Sequence, residues 1–208
     1  MIKLVVFDFD GTLVDTKRVI LDLIENNLEK FNYDMDKKLV TSLGEPIEKV
    51  LEAIGVREKV IPALAEKINF SFIKHSRKVE VARNIRNLEK IKIRKIILSN
   101  NIHFFIKLVL RNHKIGFFDE IYGADDFDNK FHEFKKLMRK NRLKPHEVIY
   151  VGDRASDTEL ARGIGCYSII IHHKASWASK KDIIASKPDF IIGDLSKIEK
   201  IIHKIENS

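Results

Sequence analysis

Apolar residues fall along this chain in two rhythms. From Ile2 to Phe9 they run almost without a break and are rich in β-branched and aromatic types, the pattern of a strand buried on both faces. Past Leu13 the rhythm changes. Val19-Ile20, Leu23-Ile24, Leu28 and Phe31 recur at helical spacing. Leu43-Gly44-Glu45-Pro46 interrupts them, and Pro46 suits the first turn of a new helix running to Gly55. Ile61 to Phe72 predicts a third helix, extendable to Val79. No strand is predicted between Asp15 and about Val81, so residues 15–81 are expected to form an all-helical insert. Short hinges are expected near 14–17 and 78–83.

From residue 84 onward the two rhythms alternate. Strands are predicted at 95–98, 120–122, 148–151, 168–171 and 190–192, separated by helices at 84–90, 104–111, 131–141 and 158–164. A closing helix over 195–205 carries Ile198, Ile201 and Ile202 on one face. Such alternation predicts an α/β fold with a parallel sheet covered on both sides, made from residues 1–14 and 82–208. Ligands of such sheets gather at the carboxyl ends of the strands. The polar clusters of this chain fall at those ends, which points to one composite site.

The first cluster is Asp8-Phe9-Asp10-Gly11-Thr12. Side chains alternate along an extended chain, so Asp8 and Asp10 are expected on one side. Two acids beside a buried strand need a cation or a proton to offset their repulsion. Gly11 lets backbone N–H groups approach an anion, and Thr12 adds a hydroxyl donor. Ser99 closes the second core strand in Leu-Ser-Asn-Asn, where a hydroxyl beside free N–H groups can hold a phosphate oxygen. Gly152-Asp153-Arg154-Ala155-Ser156-Asp157 closes the fourth.

Asp-Xaa-Asp-Gly-Thr after an apolar strand, with Ser99 and the Gly-Asp-three residues-Asp run following in order, resembles the haloacid dehalogenase superfamily. The helical insert looks like the cap of its phosphoglycolate phosphatase and beta-phosphoglucomutase branch. The resemblance implies a Rossmann-like core and a Mg²⁺-dependent phosphatase acting on a small phosphorylated metabolite. It implies that Asp8 is the nucleophile, forming an aspartyl-phosphate, and that Asp10 is the general acid and base. Asp8, Asp153 and the Asp10 carbonyl would hold the metal. Gly11, Thr12, Ser99, Asn100 and Lys130 would hold the phosphate. Lys130 lies at the family's distance before the Gly-Asp run, although Phe131 follows it where Pro is usual. Asp157 would reach the metal through water or brace Lys130. Glu45 sits where a cap segment faces substrate in that branch, in place of the usual apolar residue, and is expected to bear on specificity. Arg154 stands where relatives carry a small residue or Thr.

Composition narrows the setting. Lys and Arg exceed Asp and Glu by eight, yet they are interleaved with helix-spaced apolar residues, as in Lys135-Lys136-Leu137-Met138-Arg139-Lys140. That pattern describes solvated helix faces rather than a nucleic-acid surface. The positive balance would still draw small anions. Glutamine is absent and Lys and Ile are abundant, a bias shared by thermophilic proteins and low-GC genomes. One cysteine, Cys166, excludes an intrachain disulfide and fits a small buried residue. No apolar run is long enough to cross a bilayer and no leader pattern is present, so a cytoplasmic location is expected. His172-His173 point to opposite sides of an extended chain and are not expected to bind metal. Trp177 is read as cover for apolar surface, and Asp125, Asp126 and Asp128 as a solvated loop. A dehalogenase would lack an acid at position 10. A phosphomutase and a non-catalytic phosphate-sensing module are the remaining alternatives.

Overall fold

The computed structural model describes residues 1–30, 33–34 and 47–207. Among them, six strands form one parallel sheet: β1 (Leu4–Phe7), β4 (Arg94–Leu98), β5 (Glu120–Tyr122), β6 (Val148–Gly152), β7 (Tyr167–Ile171) and β8 (Phe190–Ile192), in the order β5-β4-β1-β6-β7-β8. β1 is central because its residues are apolar on both faces. Val5 and Phe7 enter one cluster with Ile97, Ile149, Val151 and Ile169. Leu4 and Val6 enter the other with Ile96, Leu98, Val148 and Tyr150. Each fully buried side chain of this size is worth about 1.5–3 kcal/mol, so the strand favours the middle of the sheet over an edge.

Helices cover both faces. On the Phe7 side lie α4 (His103–Asn112), through Phe105, Ile106 and Val109, and α8 (Ile198–Glu206), through Ile198 and Ile202. On the Val6 side lie α5 (Lys130–Lys140), through Phe134 and Leu137, and α6 (Ala155–Ile164), through Ala161. The short α7 (Lys180–Ser186) adds Ile183 to the buried set. The chain builds β1, β4 and β5 outward to one side, then crosses back to lay β6 on the other side of β1. That reversal makes the carboxyl end of β1 the switch point of the sheet, where ligands of such folds bind.

Between β1 and β4 the chain leaves the sheet. A two-residue strand, β2 (Val14–Asp15), leads out and β3 (Glu80–Val81) leads back, and the two pair antiparallel. Between them the described residues form α1 (Lys17–Glu29), α2 (Ile47–Ala53) and α3 (Ile61–His75). Leu23, Ile24, Leu28, Val50, Leu51, Leu64 and Ile68 turn inward at helical spacing and pack together. The β2–β3 pair departs from the strand-free expectation for this stretch. Two residues per strand carry no readable alternation, and the pairing is non-local. Residues 85–90 wind as a 3₁₀ helix, and α7 lies where no helix was predicted.

Candidate active site

Register brings the polar clusters together. Phe7 pairs with Ile97 on one side and Val151 on the other, so Asp8, Ser99 and Asp153 leave their strands at nearly one level. The Asp8 N–H donates to the Val151 carbonyl (2.8 Å), which extends the ladder by one residue and fixes where its side chain starts. The chain then folds into a tight turn in which the N–H groups of Leu13 and Val14 converge on the Phe9 carbonyl (2.9 and 3.2 Å). Gly11 N–H donates to Val14 O (2.9 Å) and Thr12 N–H to Phe9 O (3.3 Å). Both are thus engaged inside the turn rather than presented to an anion as the sequence suggested. Gly11 serves by making room: its φ is +76°, and a Cβ there would overlap the Asp153 carboxylate and the Trp177 indole.

Lys130, the first residue of α5, reaches over the buried face to Asp8. Its Nζ lies 2.8 Å from Asp8 Oδ1 and 3.9 Å from Asp157 Oδ1, above the Tyr150 ring at 5.4 Å. The start of α5 is set by Asn129, whose side-chain oxygen accepts the His132 N–H (3.0 Å). Burial would depress the Lys130 ammonium, but the carboxylates of Asp8 and Asp157 outweigh it and hold its pKa above the ordinary lysine value. Lys136 instead pairs with Glu133 (3.1 Å) with its side chain mostly in solvent, and Lys135 lies over the Phe131 ring.

Asp10 is partly open to the cavity. Its carboxyl is pushed up to about 6, first by burial and then by the charge of Asp8. Both its oxygens accept from the Asn101 amide (3.1 Å each). The Asn101 carbonyl in turn accepts the Ile102 N–H (2.9 Å), which fixes the amide's orientation. The sequence reading singled out Asn100; both asparagines line the cavity, and nothing in the Ser-Asn-Asn run tells them apart. Ser99 is buried and its Oγ accepts the Asn101 N–H (3.2 Å).

The Gly-Asp run forms the third wall. Asp157 lies in the first turn of α6, where its Oδ2 accepts the N–H groups of Asp153 (3.0 Å) and Arg154 (2.9 Å) and its Oδ1 accepts the Tyr150 hydroxyl (3.1 Å). Gly152 permits this, since a Cβ there would overlap the Asp157 carboxylate. Asp153 is fully buried. Its Oδ2 accepts the Trp177 backbone N–H (2.5 Å), while its Oδ1 has no partner among the described residues. Burial, and then the charge of Asp157, push its carboxyl well above the carboxylate range. Trp177, which the sequence offered only as apolar cover, is therefore part of this wall, and Arg154 lies over its ring at 4.8 Å.

Oxygens of Asp8, Asp153 and Asp157 lie within 4.8 Å of one another, all three residues buried. Three buried acids with one lysine and an orphaned Asp153 oxygen leave negative charge uncompensated. An all-oxygen donor set of this kind suits a hard divalent cation such as Mg²⁺. Asp8, Asp10, Ser99, Lys130 and Arg154 face a common cavity of about 650 Å³, closed on the other side by Ile20, Val50, Asn69 and Phe72 of α1, α2 and α3. Glu45 lies outside the described residues. Asp125 and Asp126 hold the loop after β5 by accepting from His103 N–H and Gly123 N–H (2.7 and 2.8 Å).

The same motifs in the same order define a family: the model for haloacid dehalogenase-like hydrolases matches residues 5–171. The chain belongs to the haloacid dehalogenase-like hydrolase family. Among relatives, a phosphoglycolate phosphatase of Vibrio cholerae is 21% identical over 221 residues, covering 97% of each chain. The pyrophosphatase PpaX of Bacillus cereus is 25% identical over 219 residues, covering 100% of this chain and 99% of its own. A crystal structure of beta-phosphoglucomutase from Clostridium difficile superposes with a TM-score of 0.84 at 18% identity, covering 100% of this chain and 98% of that one. At that identity the likeness speaks for the fold alone, a parallel sheet with surrounding helices.

Proposed function

We propose that this hydrolase is a Mg²⁺-dependent phosphatase that removes the phosphoryl group of a small phosphorylated metabolite through an aspartyl-phosphate on Asp8, in the manner of a phosphoglycolate phosphatase. The observation that carries this reading is the ion pair of Asp8 with Lys130 beside an Asp10 carboxyl raised to about 6. One acid is oriented and charge-balanced as a nucleophile; its neighbour is poised to hold and release a proton near neutral pH. The relatives named as phosphatases and as a pyrophosphatase support the same chemistry.

In this reading an Asp8 oxygen attacks phosphorus and the bond to the leaving oxygen breaks, while Asp10 gives that oxygen its proton. Asp10 then takes a proton from water as the water attacks the phosphorus of the aspartyl-phosphate, and inorganic phosphate leaves. Lys130, Ser99 and the amide of Asn100 hold the equatorial oxygens, where positioning and charge supply most of the rate. Asp8, Asp153 and the Asp10 carbonyl would hold Mg²⁺, which would neutralise the phosphoryl charge against Asp8. Asp157 braces Lys130 and the backbone of the Asp153 loop. Residues 15–81 act as a cap over a core of residues 1–14 and 82–208, and Glu45 bears on which substrate the cap accepts.

The test is chemical capture. Wild-type protein mixed with Mg²⁺ and an aryl phosphate should hydrolyse it, a chelator should stop it, and quenched samples should carry a phosphoryl group that maps to Asp8. Asp8→Asn should be inactive and unlabelled. A label on a histidine, or full turnover by Asp8→Asn, would refute the reading.

A further inference from the structure

Both proton transfers of the proposed reaction fall to Asp10, whose carboxyl faces an open cavity. General acid–base help depends on where that carboxyl points, so something has to hold it. The Asn101 Nδ2 lies 3.1 Å from each Asp10 oxygen. One amide thus spans the whole carboxylate and fixes its plane. The Thr16 hydroxyl and the Arg154 charge also act on Asp10, but Asn101 is the donor that reaches both oxygens among the described residues.

Asn101 is itself fixed at its other polar atoms. Its N–H donates to Ser99 Oγ (3.2 Å), its carbonyl accepts the Ala124 N–H (2.8 Å) and its Oδ1 accepts the Ile102 N–H (2.9 Å). The Ala124 bond ties it to the loop after β5, and that loop is locked onto the start of α4. Asp125 Oδ1 accepts the His103 N–H (2.7 Å); Asp126 Oδ2 lies 2.6 Å from His103 Nδ1 and accepts the Gly123 N–H (2.8 Å). Gly123 permits the close approach, since a Cβ there would overlap the His103 backbone. Three of the four polar atoms of Asn101 therefore engage the scaffold, and the fourth is aimed at Asp10. An asparagine that only shapes its own turn would need the Oδ1 contact and no more. The Nδ2 contacts join residues 91 positions apart in sequence.

We propose that Asn101 is a positioning residue of the reaction, holding the Asp10 carboxyl where it can give a proton to the leaving oxygen and then take one from water. This rests on the phosphatase reading and goes beyond it by making a rigid amide on the loop after β4 the support of the acid.

Two variants test it. Asn101→Ser keeps an acceptor for the Ile102 N–H but is too short to reach Asp10; Asn101→Leu keeps the size and has no donor. Each is mixed with Mg²⁺ and either an aryl or an alkyl phosphate, then quenched at short times. From the aryl ester, whose leaving group needs no proton, phosphoryl-Asp8 should form at close to the wild-type rate. It should then hydrolyse about 10- to 100-fold more slowly, the range set by a hydrogen bond to a charged group, so that label accumulates. From the alkyl ester, formation should slow by a similar factor. In an Asp10→Ala background, Asn101→Ser should change neither rate further, because no carboxyl is left to hold. An Asn101 that merely stiffens its loop would slow both steps of both substrates by a common factor, and that loss would persist without Asp10. Either result overturns the proposal. If Asp8 is never labelled, in wild type or in Asp10→Ala, the phosphatase reading falls and takes this proposal with it; labelled proteins with an additive Asn101 loss sink the proposal alone.

Discussion

Asp10 and Asp157 are both acids of the same cleft, and their surroundings give them different work. Asp157 spends its oxygens on two backbone N–H groups and the Tyr150 hydroxyl, so it holds structure. Asp10 accepts from side-chain donors such as the Asn101 amide rather than from backbone N–H groups, and burial together with the charge of Asp8 raises its pKa to about 6. Asp10→Asn should slow both proton-dependent steps, by about 10²–10⁴-fold for hydrolysis of the intermediate. With an aryl phosphate, whose leaving group needs no proton, the first step should suffer less. The variant should therefore accumulate phosphoryl-Asp8, visible by intact-protein mass; an unlabelled, equally slow variant would contradict the division of roles. Outside the site, Glu147 shows the opposite shift, to about 2, through the Lys144 N–H (2.8 Å) and the Lys3 ammonium (2.6 Å). An acid depressed from 4.5 contributes stability in full above about pH 4.5 and loses it as pH falls through about 2. Glu147→Gln should thus be less stable than wild type at pH 7, with the gap in denaturant midpoint closing as the pH falls from about 4.5 to about 2. A gap that stays constant with pH would show that the glutamate's charge plays no part. At this scale the sequence placed Asp8, Asp10 and Asp153 just after strands, and the structure gathers them in one cleft; Lys130 rested only on its distance before the Gly-Asp run, and it is the fold that sets its Nζ 2.8 Å from Asp8. Asn101 and Trp177 were not legible, since what recruits them is a loop conformation and a backbone N–H that no side-chain pattern encodes.

Elements were legible where burial imposes a period. β1 and β6 run apolar on both faces, and α5 and α8 show clean inward stripes. The misses are short. β2 and β3 have two residues each, and their pairing joins positions 65 residues apart in sequence, from Asp15 to Glu80. α7 is seven residues long, and the signal that marks it is its cap: Ser179 Oγ accepts the Asp182 N–H (3.2 Å), a serine with an acid three places on. Elements also meet through glycine. At Gly152, where β6 gives way to the loop before α6, an added methyl group would strike the Asp157 carboxylate that caps the helix. Gly152→Ala is expected to cost about 1–3 kcal/mol, the usual range for overpacking, and to lower Mg²⁺ affinity by moving Asp153 and Asp157. Chemical denaturation and a metal titration followed by Trp177 fluorescence check both; unchanged values would mean that the loop gives way more readily than the packing implies.

The whole molecule adds a field to this geometry. Its formal net charge is +8, yet the cavity floor is crowded with acids, so the approach of a phosphate ester depends on two opposed contributions. The local acids are short-ranged in effect, being buried and, in the proposed phosphatase, balanced by Lys130 and a divalent cation. The excess of lysine and arginine is spread over exposed helix faces and acts over distances that salt controls: screening lengths shrink from about 10 Å at 0.1 M to about 3 Å at 1 M. A net positive molecule concentrates anions around itself and speeds their encounter. If that field guides substrate, kcat/KM for a doubly anionic ester should fall severalfold as inert salt rises from about 0.02 M to about 0.5 M, whereas kcat should hold because the contacts made inside the closed cleft are poorly screened. The measurement is steady-state kinetics in a salt series at fixed Mg²⁺ and pH, with a singly charged phosphodiester tested as a competitive inhibitor, whose affinity should weaken less. A kcat/KM that rises with salt would mean that the acids at the mouth, among them Asp125 and Asp128, dominate the approach and that the surplus of basic residues plays no part in capture.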